Sequence, residues 1–258
     1  MADPTRVLIL GGTGEAAVLA RALAEEPRVA ATTSLAGRTR APGELPGAVR
    51  RGGFGGARAL ADYLESHGID LLVDATHPFA TRISRNAAQA CAAAGVPRLV
   101  LTRPPWTARE GDRWTPVPDA EAAAVALSGL GSGLGPGLGA RVFLTIGRQE
   151  LAAFAGLDAV WFLVRLVELP EDPIPFAEYH LVLGRGPFSL ERETALLREH
   201  GIEVVVSKNS GGPGTYAKIE AARALGLPVV MIERASLPAG ETVETVAAAL
   251  AWIEPRLA

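Results

Sequence analysis

The chain has 258 residues, 48% hydrophobic and 21% charged, which excludes a disordered chain and, at ~150 residues per domain, fits one large domain or two small ones. No apolar run reaches the ~18 residues of a membrane span, and a net charge of -3 gives no reason to expect nucleic acid as a partner. A single cysteine, Cys91, excludes an internal disulfide and a cysteine-built zinc site, and no other metal-ligand cluster stands out.

Residues 1–6 lead directly into a short apolar run with no signal-peptide pattern, which predicts a cytoplasmic protein. Short β-type runs then alternate with Ala- and Leu-rich stretches of helical period, the pattern of an α/β fold with mainly parallel sheets. The first half predicts strands at 7–10, 29–33, 48–51, 71–74 and 98–102, with helices over 16–26, 58–66, 84–94 and 119–127. Cys91 falls in an Ala-rich helical stretch and reads as an inert packing residue. The run from Gly129 to Gly139 has glycine at every second position and reads as a linker. The pattern then restarts with strands at 142–145, 160–166, 180–183, 204–206 and 229–232. Helices are expected around Glu150, over 190–200 and over 216–225, and a last one, 243–253, could dock on either half. The domains are therefore placed at 1–128 and 141–258, with 129–140 as the linker.

Gly11-Gly12-Thr13-Gly14-Glu15 stands between a buried strand and a helix, and Gly12, Gly14 and Ala17 fit the spacing G-x-G-x-x-A. Glycines let a backbone turn sharply and approach a pyrophosphate, while the helix N-terminus supplies unpaired N–H groups and a positive dipole end. An NAD site carries an acid about 20 residues on, at the end of the second strand. Here that region reads Thr32-Thr33-Ser34-Leu35-Ala36-Gly37-Arg38-Thr39-Arg40, with no acid before Glu44. Hydroxyls and arginines suit a 2′-phosphate, which favours NADPH over NADH as the cofactor.

Ligands of open α/β sheets bind beyond the carboxyl ends of the strands, so loops that follow strands matter most. Asp74-Ala75-Thr76-His77-Pro78 is one, with Pro78 placed to start a helix and His77 the histidine best situated for proton chemistry. His67 and His200 fall at helix ends, and His180 opens a strand. In the second half, Thr145-Ile146-Gly147-Arg148, Gly184-Arg185-Gly186-Pro187-Phe188-Ser189 and Ser207-Lys208-Asn209-Ser210-Gly211-Gly212 each join small residues to one cation. Ser189 is placed to cap a helix. Of the 25 basic residues only Lys208 and Lys218 are lysines. Three such loops on one sheet edge predict an anion-binding rim for a substrate with several carboxylates. No Tyr-x-x-x-Lys pair, P-loop or G-x-S-x-G elbow occurs.

Gly11-Gly12-Thr13 with Glu15, Ser34-Leu35-Ala36-Gly37-Arg38, Gly52-Gly53-Phe54-Gly55-Gly56, Asp74-Ala75-Thr76-His77-Pro78-Phe79-Ala80, Gly184-Arg185-Gly186-Pro187-Phe188 and Ser207-Lys208-Asn209-Ser210-Gly211-Gly212 occur in an order that resembles the precorrin-6A reductases of cobalamin biosynthesis from Val7 to about Glu233. The glycine run at 129–139 looks like a local insertion. The resemblance implies NADPH-dependent hydride transfer to one double bond of the precorrin-6A macrocycle, giving precorrin-6B. It also implies two Rossmann-like domains, the N-terminal one for NADPH and the second for substrate, with the active site in the interdomain cleft. Gly11, Gly12, Thr13, Gly14 and Glu15 would belong to the cofactor site. Ser34, Gly37 and Arg38 would hold the adenosine end, Gly53 and Phe54 would line the groove, and Thr76 and His77 would approach the reacting centre. Lys208, Arg148 and Arg185 would meet the carboxylates of the tetrapyrrole, helped by Ser207, Asn209, Ser210 and Gly211. A proton must also be delivered, and His77, Lys208 and water remain the candidates for it.

The resemblance leaves open whether the substrate carries cobalt. Hand-over of product to neighbouring cobalamin-pathway enzymes is a further expectation. The alternatives are another NADPH oxidoreductase or epimerase, against which the missing Tyr-x-x-x-Lys counts, and a non-catalytic NADPH sensor, against which the three cationic loops count.

Overall fold

In a computed structural model, residues 3–37, 44–131 and 140–257 are described. The elements begin with β1 (Thr5–Leu10), α1 (Gly14–Ala24), β2 (Val29–Leu35), β3 (Ala48–Arg51), α2 (Ala57–Ser66), β4 (Leu71–Asp74), α3 (Thr81–Ala94) and β5 (Arg98–Leu101). They continue with β6 (Arg113–Val117), α4 (Ala120–Gly131), β7 (Arg141–Leu144), a 3-10 segment over Arg148–Phe154, β8 (Trp161–Leu166) and β9 (Tyr179–Leu183). The last are α5 (Leu190–Glu199), β10 (Val204–Lys208), α6 (Ala217–Ala224), β11 (Pro228–Ile232), β12 (Glu241–Val243) and α7 (Val246–Ile253).

The strands form two six-stranded sheets, ordered β12-β5-β4-β1-β2-β3 and β6-β11-β10-β7-β8-β9, and every pairing is parallel. Each order reverses direction once, between β1 and β4 in the first sheet and between β7 and β10 in the second. These are two Rossmann-type sheets, and the crevices for ligands lie at the carboxyl ends of those strand pairs.

The first sheet is covered on both faces, which is why its strands read as unbroken apolar runs. Side chains alternate along β1: Val7 and Ile9 pack with α1 and α7, and Leu8 and Leu10 with α2 and α3. All four are at most 2% exposed, and each contributes roughly 1.5–3 kcal/mol by burial. Cys91 is buried on the α3 side, where desolvation pushes its thiol up to about 11, as an inert packing residue should be. In the second sheet, Phe143, Leu163, Val205 and Met231 pack with Leu197 of α5 and Ile219 of α6.

The domain boundary differs from the sequence expectation. The first compact unit runs to Pro104 and resumes at Ala235, and the second spans Pro105–Arg234. The glycine run is thus not the boundary. Residues 129–131 close α4, and 132–139 lie outside the described residues. The cause is the sixth strand of each sheet. β6, which falls in the stretch that the sequence reading gave to the first domain, pairs with β11, whereas β12 returns to pair with β5 and brings α7 onto the first unit. Both strands were missed because they are short edge strands with weak alternation. β6 contains Pro116, tolerated at an edge, and β12 has three residues.

Candidate functional site

The turn after β1 places α1 with its N-terminus at the first crevice. Thr13 caps the helix: its hydroxyl oxygen accepts from the Ala16 N–H at 3.1 Å, and the hydroxyl donates to the Ala75 carbonyl at 2.8 Å. The cap therefore ties the glycine turn to the end of β4. Gly12 has φ +114, which a side chain rarely adopts, and a Cβ at Gly12 or Gly14 would meet nothing within 4 Å. The exposed backbone there is open to a ligand group, the fit a dinucleotide pyrophosphate requires. Gly11 has a different role, since a Cβ on it would come within 3.0 Å of Thr33 Cγ2.

Thr13, Glu15, Thr76 and Pro78 line a shallow depression with Leu101, Thr102 and Arg103. Glu15 is engaged in an ion pair with Arg103 at 2.9 Å, so the acid in the first turn of α1 is neutralised where an anion would otherwise be repelled. Arg103 had a readable signal, since it follows a strand end like the other loops singled out.

Thr76 turns its hydroxyl onto Asp74, donating to Oδ1 at 2.7 Å, and its N–H donates to the same oxygen at 3.2 Å. Asp74 is 2% exposed and was not among the expected site residues. The next residue, His77, accepts the Phe79 N–H at Nδ1, 3.3 Å, which leaves Nε2 as the protonated nitrogen of the neutral ring. Helix α3 begins at Thr81 rather than at Pro78, because the Ala80 N–H first closes a turn onto the His77 carbonyl.

At the other side of the crevice, Ser34 is the last residue but one of β2 and is buried, and Gly37 has φ +74. Arg38 lies outside the described residues. Gly53 is exposed, and Phe54 packs edge-on to Tyr63 at 5.2 Å between ring centroids. The sequence reading missed Arg50, whose guanidinium donates to Ser34 Oγ.

In the second unit, Arg148 and Arg185 stand on the segments that follow β7 and β9, and Lys208 is the last residue of β10, so all three lie at the carboxyl edge of one parallel sheet. Lys208 Nζ pairs with Glu150 Oε1 at 2.8 Å, a partner not foreseen. Arg185 is half-exposed with Glu168 at 4.0 Å, and Arg148 is exposed. Ser207 and Asn209 do not fit the direct ligand role expected of them. Ser207 is 0% exposed and donates to the Lys208 carbonyl. Asn209, at 2%, accepts from the Trp106 N–H at 2.7 Å and donates back to the Trp106 carbonyl at 3.1 Å, a reciprocal staple. Ser210 and Gly211 follow, with the Ser210 N–H donating to the Lys208 carbonyl and Gly211 at φ +67.

Behind this edge is a buried charge cluster. Ser189 caps α5, and Glu193 in its first turn makes two hydrogen bonds with Arg165, at 2.7 and 2.9 Å. Lys218 donates to the Thr215 carbonyl at 2.9 Å, and burial pulls its ammonium down to about 7, against the raising influence of Glu193.

Among the described residues no helix is long and apolar enough to cross a membrane. A family model described as precorrin-6x reductase CbiJ/CobK matches residues 6–254. The chain is 54% identical over 250 residues to the precorrin-6A reductase of Rhodococcus erythropolis, covering 96% of this chain and 97% of that one. It is 31% identical over 240 residues to the cobalt-precorrin-6A reductase of Salmonella typhimurium, covering 88% and 87% respectively. A solved structure described as CobK precorrin-6A reductase is similar with a TM-score of 0.88 and 47% identity, over 97% of this chain and 96% of that chain.

Proposed function

The chain belongs to the precorrin-6x reductase family, CbiJ/CobK, and from that premise we propose that it reduces precorrin-6A to precorrin-6B in cobalamin biosynthesis by hydride transfer from NADPH. The observation that carries the choice of cofactor is the end of β2. Ser34 stands there beside the Arg50 guanidinium, where an NAD site would have an acid for the ribose. A reduced nicotinamide supplies the hydride when bound. The residues that would hold the dinucleotide are Gly12, Thr13 and Gly14 at the pyrophosphate, with Gly11 letting the turn pack against Thr33, Ser34, Gly37 and Arg38 at the adenosine, and Gly53 and Phe54 along the groove.

The protein's own part is binding, orientation and exclusion of water. Glu15, held by Arg103, sets the charge at the α1 N-terminus rather than gripping a phosphate. Thr76, fixed by Asp74, and His77, fixed by Phe79, would face the reacting centre. Reduction of one double bond needs a proton besides the hydride. His77, at the mouth of the first sheet, and Lys208, at the mouth of the second, are the groups proposed to deliver it. Arg148, Arg185 and Lys208 would receive acetate and propionate groups, while exposed Val167, Leu169 and Leu183 offer the apolar macrocycle a shelf beside Arg185. Ser207 and Asn209 would act by shaping the Lys208 loop.

The higher identity to a precorrin-6A reductase than to a cobalt-precorrin-6A reductase favours the metal-free substrate. The test is anaerobic incubation with NADPH and precorrin-6A, following nicotinamide oxidation and the macrocycle spectrum together. Stoichiometric oxidation is expected. Turnover only with the cobalt-containing macrocycle would overturn the substrate assignment, and tight NADPH binding without turnover of either would overturn the reductase reading.

A further inference from the structure

Arg50 occupies the third position of β3 and lies in register with Ser34 at the end of β2. Its Nη1 donates to Ser34 Oγ at 3.3 Å and to the Gly52 carbonyl, and its Nη2 donates to the Gly53 carbonyl at 3.0 Å. The ring of Phe54 lies 3.8 Å from Cζ, with that of Tyr63 at 5.4 Å. One half-buried cation thus organises the last turn of β2 and the whole glycine loop after β3. Every one of these partners is neutral: two carbonyls, a hydroxyl and two aromatic faces. Among the described residues no carboxylate pairs with Arg50, whereas Arg103, Arg165, Arg223 and Lys208 each have one.

A guanidinium has five N–H groups, and three are engaged by the oxygens above. Nε–H and one Nη2–H remain, and these two nitrogens form the side-on fork that grips a carboxylate or phosphate with two parallel bonds. The same fork is used elsewhere in this chain, where Nε and Nη2 of Arg223 hold the two oxygens of Asp112 at 2.9 and 3.1 Å. A cation desolvated on one side by a ring, fixed by neutral dipoles and lacking a counter-charge is a site prepared for an anion. Its position at the carboxyl ends of β2 and β3 is where the adenosine ribose of a bound dinucleotide lies.

We infer that Arg50 is a specificity-determining residue of the cofactor site, its side-on fork binding the 2′-phosphate that distinguishes NADPH from NADH. The inference rests on the NADPH reading above and assigns the discriminating contact to the sheet rather than to the Arg38 loop alone. Arg50 also sets the Gly52-Gly53-Phe54 loop, so a general loss of nucleotide binding must be separated from a loss of phosphate recognition.

The experiment titrates the full chain calorimetrically with two probes, adenosine 2′,5′-bisphosphate and 5′-AMP. Wild type is expected to prefer the bisphosphate. Arg50→Gln is expected to weaken the bisphosphate by about tenfold or more, the size of a lost charge-assisted contact, and to leave 5′-AMP within about twofold. Arg50→Lys keeps the charge without the fork and should fall between. It serves as the readout if Arg50→Gln does not fold. Equal weakening of both probes would reduce Arg50 to a loop brace and overturn the inference. So would full discrimination surviving in both Arg50 variants but vanishing in Arg38→Gln. A wild type that binds both probes equally would overturn the NADPH reading before any substitution is made, and this inference with it.

Discussion

Replacing Thr13 by Val keeps the β-branched shape and removes only the hydroxyl, which makes two bonds at once. Loss of the cap on the Ala16 N–H costs about 1 kcal/mol. The second bond has a larger consequence, because Ala75 is 0% exposed and its carbonyl would lose the hydroxyl donor without gaining water, at about 1–3 kcal/mol. Thr13→Val should therefore lower the stability of the first unit by about 2–4 kcal/mol, with faster hydrogen exchange in the first turn of α1. Thr13→Ser retains the hydroxyl and should stay within about 1 kcal/mol of wild type. Urea unfolding followed by circular dichroism gives the totals, and exchange mass spectrometry of peptides covering α1 gives the location. NADPH affinity should fall in Thr13→Val and hold in Thr13→Ser, since the cap aims the N–H groups that, on the proposed function, would meet the pyrophosphate. If the two substitutions cost the same, the hydroxyl is not what joins the glycine turn to β4.

The buried pair Arg165–Glu193 should behave as a coupled unit: each of Arg165→Met and Glu193→Leu costs about 3–5 kcal/mol in urea unfolding, while the double substitution costs much less than their sum. Strict additivity would refute the coupling. Lys218 is held down at about 7 when folded against 10.5 as its ordinary value, so the unfolded chain binds more protons between those limits. Wild-type stability relative to Lys218→Met should then rise as pH increases from about 7 to about 10.5, and a pH-independent difference in Tm would refute the loss of the Lys218 proton on burial. Lys208→Ala should raise KM for the macrocycle or lower kcat with NADPH affinity nearly unchanged, and a loss of cofactor binding would show that this loop has been assigned to the wrong ligand.

Much of the fold is legible because central parallel strands must be apolar on both faces, as at 7–10, 71–73 and 204–206, and glycine turns are local in sequence. What escaped reading depends on sheet order. Arg103 meets Glu15 across 88 positions, and Trp106 meets Asn209 across 103, because strands far apart in the chain lie side by side. The same cause hid the domain boundary, since a three-residue edge strand such as β12 carries almost no periodic signal. Arg50 escaped for a different reason: the sequence reading sought the cation on the loop after β2, whereas the register of β3 brings one to Ser34 from the neighbouring strand. Ser207 and Asn209 look like ligand residues in a glycine-rich loop, and only packing reveals that their side chains turn inward.

The placement of β12 has a consequence for synthesis on the ribosome. The first sheet begins with the earliest residues to emerge, yet its outer strand and the helix covering Ile9 and Leu19 come from residues 241–253, after the entire second unit. The β5 edge and the apolar side of α1 must therefore wait, exposed, while roughly 130 residues are made, about 7–26 s at ordinary elongation rates. Chains stalled with residues up to 234 clear of the ribosome should fold the second unit and leave β5 rapidly exchanging, and release past residue 253 should protect β5 and α1 together. The unit begun first is finished last, and its exposed apolar face makes that interval the period of greatest aggregation risk.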